Sequence, residues 1–125
     1  MEIVLSNGSD KPIYEQIACQ LRDSILSGQL KAGEQLPSIR ALATDLRVSV
    51  ITTKRAYQDL EAQGFVETVQ GKGTFVSGGN MELLRERQMV LVEQDLKQAL
   101  ARSEAAGLTL SEIHEMLDVL AEESD

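Results

Sequence analysis

Two amphipathic helical patterns separated by three residues constrain this chain more than any other feature. In "PSIRALATDLRVSVITTKRAYQDLEAQG" (37–64), Ile39, Leu42, Ala43 and Leu46 recur at the i, i+3, i+4, i+7 spacing of one buried helix face. Thr53, Ala56, Tyr57 and Leu60 repeat that spacing. Only "RVS" (47–49) lies between the two helical segments, so a tight turn must join two helices packed against one another.

The front of the second pattern is the β-branched run Val50, Ile51, Thr52 and Thr53, which propensity alone assigns to a strand. The helical period runs through it, and Ser49 is placed as an N-cap. Burial of one face outweighs propensity differences of a few tenths of a kcal/mol per residue, so 49–63 is predicted to be helix, ending at Gly64. Ser38 is expected to cap the shorter helix before it.

Elements on either side extend this pair. "EIVL" (2–5) reads as a short strand and "SNGSD" (6–10) as a loop. Pro12 suits the first turn of a helix with Tyr14, Ile17, Ala18, Leu21 and Ile25 on one face, stopped at Gly28. "QLKAGEQLPS" (29–38) is a connector. "FVETV" (65–69), "QGKG" (70–73) and "TFVS" (74–77) read as strand, turn and strand of a hairpin, and "GGN" (78–80) as a hinge. From Met81 the composition changes to helix formers with no glycine before Gly107. Thr109 and Glu112 form a capping box, with Leu108 and Ile113 as its hydrophobic staple. Leu110, Ile113, Leu117 and Leu120 give the last helix one apolar face.

The net charge of −8 falls unevenly. Residues 1–80 carry 8 Lys/Arg and 9 Asp/Glu, whereas 81–125 carry 4 and 11. The acidity therefore belongs to the tail, and the stretch 46–58 holds three cations and no acid. Such a local basic patch governs binding to a polyanion more than total charge does. No apolar run approaches the roughly 20 residues of a membrane span. No secretory signal pattern is present, and Cys19, the single cysteine, cannot form an internal disulfide. A cytoplasmic location is expected, with no membrane association.

Helix, short helix, tight turn, longer helix and hairpin is the order of a winged helix-turn-helix. The expected fold class is α+β, mostly helical: a winged DNA-binding domain over 1–78 and a two-helix dimerisation or effector tail over 79–125. In such a domain the third helix enters the major groove, with its first turns at the base edges. The stretch "LPSIRALATDLRVSVITTKRAYQDLEAQGFVETVQGKGTFV" (36–76), preceded by "PIYEQI" (12–17), resembles the GntR family of bacterial transcription regulators. The short helical tail and "GLTLSEI" (107–113) resemble its YtrA subfamily.

By position, the resemblance implies DNA contacts from Ser38 and Arg40, from Ser49, Val50, Ile51, Thr52, Lys54 and Arg55 on the recognition helix, and from Gly71, Lys72 and Gly73 at the wing tip. Many members carry Arg where this chain has Val50. A bidentate guanine contact, which discriminates by roughly 1–3 kcal/mol, is thus unavailable there, while Val50 and Ile51 suit thymine methyl groups. The tail hairpin is too small to bury both faces alone, so it is expected to pack on the first domain, on a second copy of itself, or both. The expected assembly is a homodimer with Met89, Val92, Leu96, Ala99, Leu117 and Leu120 as its seam, reading a double-stranded inverted-repeat operator, most simply as a repressor.

Competing readings are weaker. "GKGT" (71–74) lacks the spacing and strand-to-helix setting of a phosphate loop. His114 stands alone, and Cys19 sits beside an apolar stripe as a structural thiol. No nucleophile–base pairing is evident, so no enzyme activity, cofactor or metal is expected. A protein-interaction adaptor built on a winged module is the principal alternative. An unknown small-molecule effector fits the tail only if a dimer interface supplies its pocket.

Overall fold

The computed structural model describes residues 2–79 and 81–123. The elements run α1 (Ile13–Leu26), α2 (Ile39–Leu46), α3 (Val50–Ala62), β1 (Val66–Val69), β2 (Gly73–Val76), α4 (Met81–Ala105) and α5 (Leu110–Glu123). They form two compact units, Met1–Arg85 and Glu86–Asp125.

The first unit is built around α1 and α3. Ile17, Leu21 and Ile25 of α1 meet Thr53, Ala56, Tyr57 and Leu60 of α3, all at most 3% exposed. Leu42 from α2, Leu30 and Leu36 from the connector, Phe65, Val66 and Val76 from the hairpin region and Leu84 from the first turn of α4 complete the core. The β-branched run is helical, as its period predicts. Thr53 shows why: it is fully buried, and its hydroxyl donates to the Ser49 carbonyl at 3.2 Å, so the polar atom is satisfied within the helix.

Both helices of the tight pair end in the same backbone device. After α3, Gly64 adopts φ +86°, Phe65 N–H donates to Leu60 C=O at 2.9 Å and Gly64 N–H to Glu61 C=O at 3.0 Å. After α2, Arg47 takes the left-handed position, with φ 58° and ψ 45°, while Val48 N–H donates to Ala43 C=O at 3.0 Å. These are Schellman endings. At Arg47 the conformation costs about 1 kcal/mol that a glycine would not incur.

Two expectations change. "EIVL" is not a strand. Its extended backbone is held by glutamine side chains from α1: Gln20 Oε1 accepts from Val4 N–H at 2.9 Å and Gln20 Nε2 donates to Val4 C=O at 2.7 Å. One turn earlier, Gln16 does the same for Ser6, accepting from its N–H and donating to its C=O at 2.9 Å each, and its amide also reaches Lys11 C=O. The side-chain amides stand where a neighbouring strand would be. Conversely, the connector contributes a strand-like pairing that its composition hides. Gly33 N–H donates to Val76 C=O, Val76 N–H to Glu34 C=O and Leu36 N–H to Thr74 C=O, at 2.8–2.9 Å. Gln35 bridges Phe75 in antiparallel fashion, so β2 is flanked on both sides.

The hairpin's first strand begins one residue later than expected and its second runs one residue earlier: Val66 pairs with Val76 and Val69 with Gly73, leaving Phe65 to the helix ending and Gln70–Lys72 as the loop. In the second unit, α4 ends at Gly107 in another Schellman arrangement, Leu108 N–H donating to Ser103 C=O at 2.9 Å. The capping box is present: Thr109 N–H and Oγ1 both donate to Glu112 Oε1 at 3.0 Å, and Glu112 N–H donates to Thr109 Oγ1 at 3.2 Å. Leu108 and Ile113 are half-buried, yet no residue of α5 is fully buried.

Candidate nucleic-acid interface

Helix α3 divides cleanly into two faces. Its buried face is fixed in the core, and the opposite face carries Val50, Ile51, Lys54 and Arg55, all exposed. Ile51 is 80% exposed and Val50 43%, which leaves two branched apolar side chains in solvent at the leading turn. Ser49 Oγ accepts from Thr52 N–H at 3.0 Å and donates to Thr52 Oγ1 at 2.8 Å. That pair occupies the N-cap, satisfies one free amide and fixes both hydroxyls at the front of the helix. No acidic residue lies in the first turn of α3, so the positive end of the helix dipole and the cations act together on an approaching anion.

Arg55 is held rather than free: its guanidinium carbon lies 4.0 Å from the centroid of the Tyr14 ring. A cation over an aromatic face at this range contributes about 0.5–1 kcal/mol when exposed, and it restricts where the guanidinium can point. Tyr57 anchors the same helix from behind. Its hydroxyl donates to Pro37 C=O at 2.7 Å, and burial pushes its pKa up to about 12. Ser38, the next residue, caps α2 by accepting from Ala41 N–H at 3.0 Å, and Arg40 stands exposed in that first turn.

At the wing, Lys72 N–H donates to Val69 C=O at 3.0 Å, with Gly71 at φ +79° supplying the turn. The Gly-Lys-Gly tip is a hairpin turn between two strands, which rules out the phosphate-loop geometry for "GKGT". The sequence reading gave Tyr14 only a place on the apolar face of the first helix and did not single out Gln35, whereas the structure sets Tyr14 against Arg55 and Gln35 against Lys72.

In the second unit, Met89, Val92, Leu96, Leu117 and Leu120 are 43–68% exposed, and Ala99 is exposed as well. Ser103 is its one fully buried residue among those described, its hydroxyl donating to Leu100 C=O at 2.8 Å. Ala99, Arg102, Ser103, Leu108, Ile113 and Met116 line an open groove between α4 and α5.

A capped recognition helix with an open cationic face, a short helix before it and a glycine-tipped wing define a winged helix-turn-helix regulator that binds DNA. The chain belongs to the gntR family of bacterial regulatory proteins, whose model matches residues 13–76, and within it to the YtrA subfamily. It is 38% identical over 109 residues to the HTH-type transcriptional repressor YtrA of Bacillus subtilis (strain 168), spanning 87% of this chain and 84% of that one. A solved structure described as a transcriptional antiterminator from Listeria monocytogenes EGD-e superposes with a TM-score of 0.79 at 31% identity, covering 97% of this chain and 90% of the other. The DNA-binding domain of AraR in complex with operator ORX1 is similar over 62% of this chain and 96% of that one, with a TM-score of 0.55 and 29% identity. The chain is accordingly a transcription regulator and not an enzyme. No helix among the described residues is long and apolar enough to cross a membrane.

Proposed function

We propose that this protein is a homodimeric, cytoplasmic repressor that binds an inverted-repeat operator. The open face of α3 carries the reading: Val50, Ile51 and Lys54 project from a helix whose other side is locked in the core. Lys54 and Arg55 meet phosphate or base edges, Val50 and Ile51 meet bases, Ser38, Arg40, Ser49 and Thr52 meet the backbone, and the tip Gly71–Gly73 approaches the adjacent sugar-phosphate chain. Residues 1–78 serve as the DNA-binding domain and 79–125 as the dimerisation tail.

The pairing of two copies is supported by the apolar side chains that the tail leaves in solvent. Met89, Val92, Leu96, Leu117 and Leu120 are 43–68% exposed, and large apolar side chains left in solvent favour being covered by a second copy. Two copies related by a two-fold axis present two recognition helices to two half-sites, and linkage multiplies a weak half-site affinity.

The decisive experiment selects bound sequences from a random DNA pool with the purified protein. A palindromic motif, lost on changing Lys54 to Ala, supports the reading, and sedimentation should give a mass of two chains. Failure to enrich any sequence would favour an adaptor role and overturn operator recognition.

A further inference from the structure

We propose that Gln35 is the positioning residue of the wing tip, its amide holding Lys72 in the orientation that engages DNA. The inference rests on the DNA-binding reading of the wing given above. Gln35 Nε2 donates to Lys72 C=O at 3.0 Å. Besides that bond, the described loop Gln70–Lys72 is closed by Lys72 N–H to Val69 C=O. The amide sits where a side chain on residue 73 would be: a Cβ built on Gly73 would lie 2.6 Å from Gln35 Nε2, and Gly73 has φ +125°. Both glycines of Gly-Lys-Gly hold positive φ that other side chains rarely adopt, and at the second the missing side chain also leaves room for the Gln35 amide.

The backbone around Gln35 explains how it reaches the tip. Residues 33–36 lie along β2, with Gln35 opposite Phe75. Two residues further on, Pro37 C=O receives the Tyr57 hydroxyl from α3, and Ser38 caps α2. One short stretch, 35–38, is thus bonded to the wing tip at one end and to both helices of the helix-turn-helix at the other. It sets the offset between Lys72 and the exposed face of α3. The Gln35–Lys72 bond is solvent-exposed, and such bonds contribute little to global stability. Losing it should leave the fold intact and free the lysine to wander.

The test uses the full chain and the operator selected from the random pool. Wild type is compared with Lys72→Ala, Gln35→Met, which keeps length and loses the donor, and the double variant. Operator affinity is measured across a salt series, with hydroxyl-radical footprints and thermal midpoints. Lys72→Ala should weaken binding and flatten the salt dependence by about one unit of slope per protomer. Gln35→Met should reproduce most of that flattening and lose the same outer footprint, with its thermal midpoint unchanged and no further loss in the double variant. Wild-type affinity and footprint in Gln35→Met, alongside a weakened Lys72→Ala, would overturn the role of Gln35 alone. Wild-type behaviour in Lys72→Ala would remove the wing from the interface and the inference with it. A midpoint that falls in step with affinity would make Gln35 a residue of the fold and likewise overturn its positioning role.

Discussion

The Tyr57 hydroxyl donates to Pro37 C=O at 2.7 Å from a side chain only 3% exposed. The phenol must stay neutral to do so, and burial raises its pKa from 10.0 to about 12. A group whose neutral form is favoured by folding stabilises fully below its unfolded pKa and loses that contribution as pH rises towards the folded value. Stability should therefore fall between pH 10 and 12, by roughly 2–3 kcal/mol at most. In Tyr57→Phe that part of the alkaline decline should vanish, at a cost near neutrality of about 1 kcal/mol for the lost bond. Urea unfolding of both proteins from pH 7 to about 12 reads the difference; parallel declines would show that another group titrates.

Gln16 and Gln20 hold the N-terminal segment by the same kind of bond but in different surroundings. Gln16 is 8% exposed and meets Ser6 and Lys11, whereas the bonds of Gln20 to Val4 face solvent. Gln16 makes three bonds from a buried side chain and Gln20 makes two at the surface, while the freed groups on Ser6 and Lys11 belong to exposed residues, so Gln16→Ala should destabilise by about 1–2 kcal/mol and Gln20→Ala by less than about 1. Chemical denaturation gives both values, and equal effects would contradict the role of burial.

If Arg55 meets a phosphate, the Tyr14 ring decides how often it is aimed there. Arg55→Ala should reduce the salt slope of operator binding by about one per protomer. Tyr14→Leu should move the slope in the same direction, and Tyr14→Phe, which keeps the ring, should restore it. An unchanged slope in Arg55→Ala would place that side chain off the DNA.

The capping box of α5 carries its own pH response. The Thr109 N–H first, and then its hydroxyl, hold the Glu112 carboxyl below its ordinary pKa. A lowered carboxyl pKa stabilises above the unfolded value and loses that support as pH falls through the folded one. Helical circular dichroism of the wild type should drop on acidification more than that of Glu112→Gln, which keeps the reciprocal bonds without titrating. Superimposable acid curves would remove Glu112 as the cause.

Much of the fold was legible because period and caps agreed. Thr53, Ala56, Tyr57 and Leu60 mark one face whatever the propensity of their neighbours, and Ser49, Gly64 and Gly107 mark ends by hydroxyl chemistry and positive φ. The failures share a cause. Residues 2–5 and 34–36 find their partners far off in sequence: a glutamine 16 residues away and a strand some 40 residues on. Strand patterns report that a backbone wants partners and say nothing of who supplies them. Within the candidate site, the residues facing outward from α3 followed from the helical period. Tyr14 and Gln35 did not, since they act through other residues brought close only by folding.

Ile51 stands 80% open at the front of α3, and in the proposed complex it would carry a thermodynamic signature. Contacts to phosphate are read through counterions, but they hardly alter heat capacity. A hydrated branched side chain that loses its water against a base does, because burying apolar surface makes the heat capacity of association more negative. In the proposed complex, calorimetry over a range of temperatures would thus separate the apolar reading of a thymine from the ionic grip on the backbone, with Ile51→Ser as the comparison.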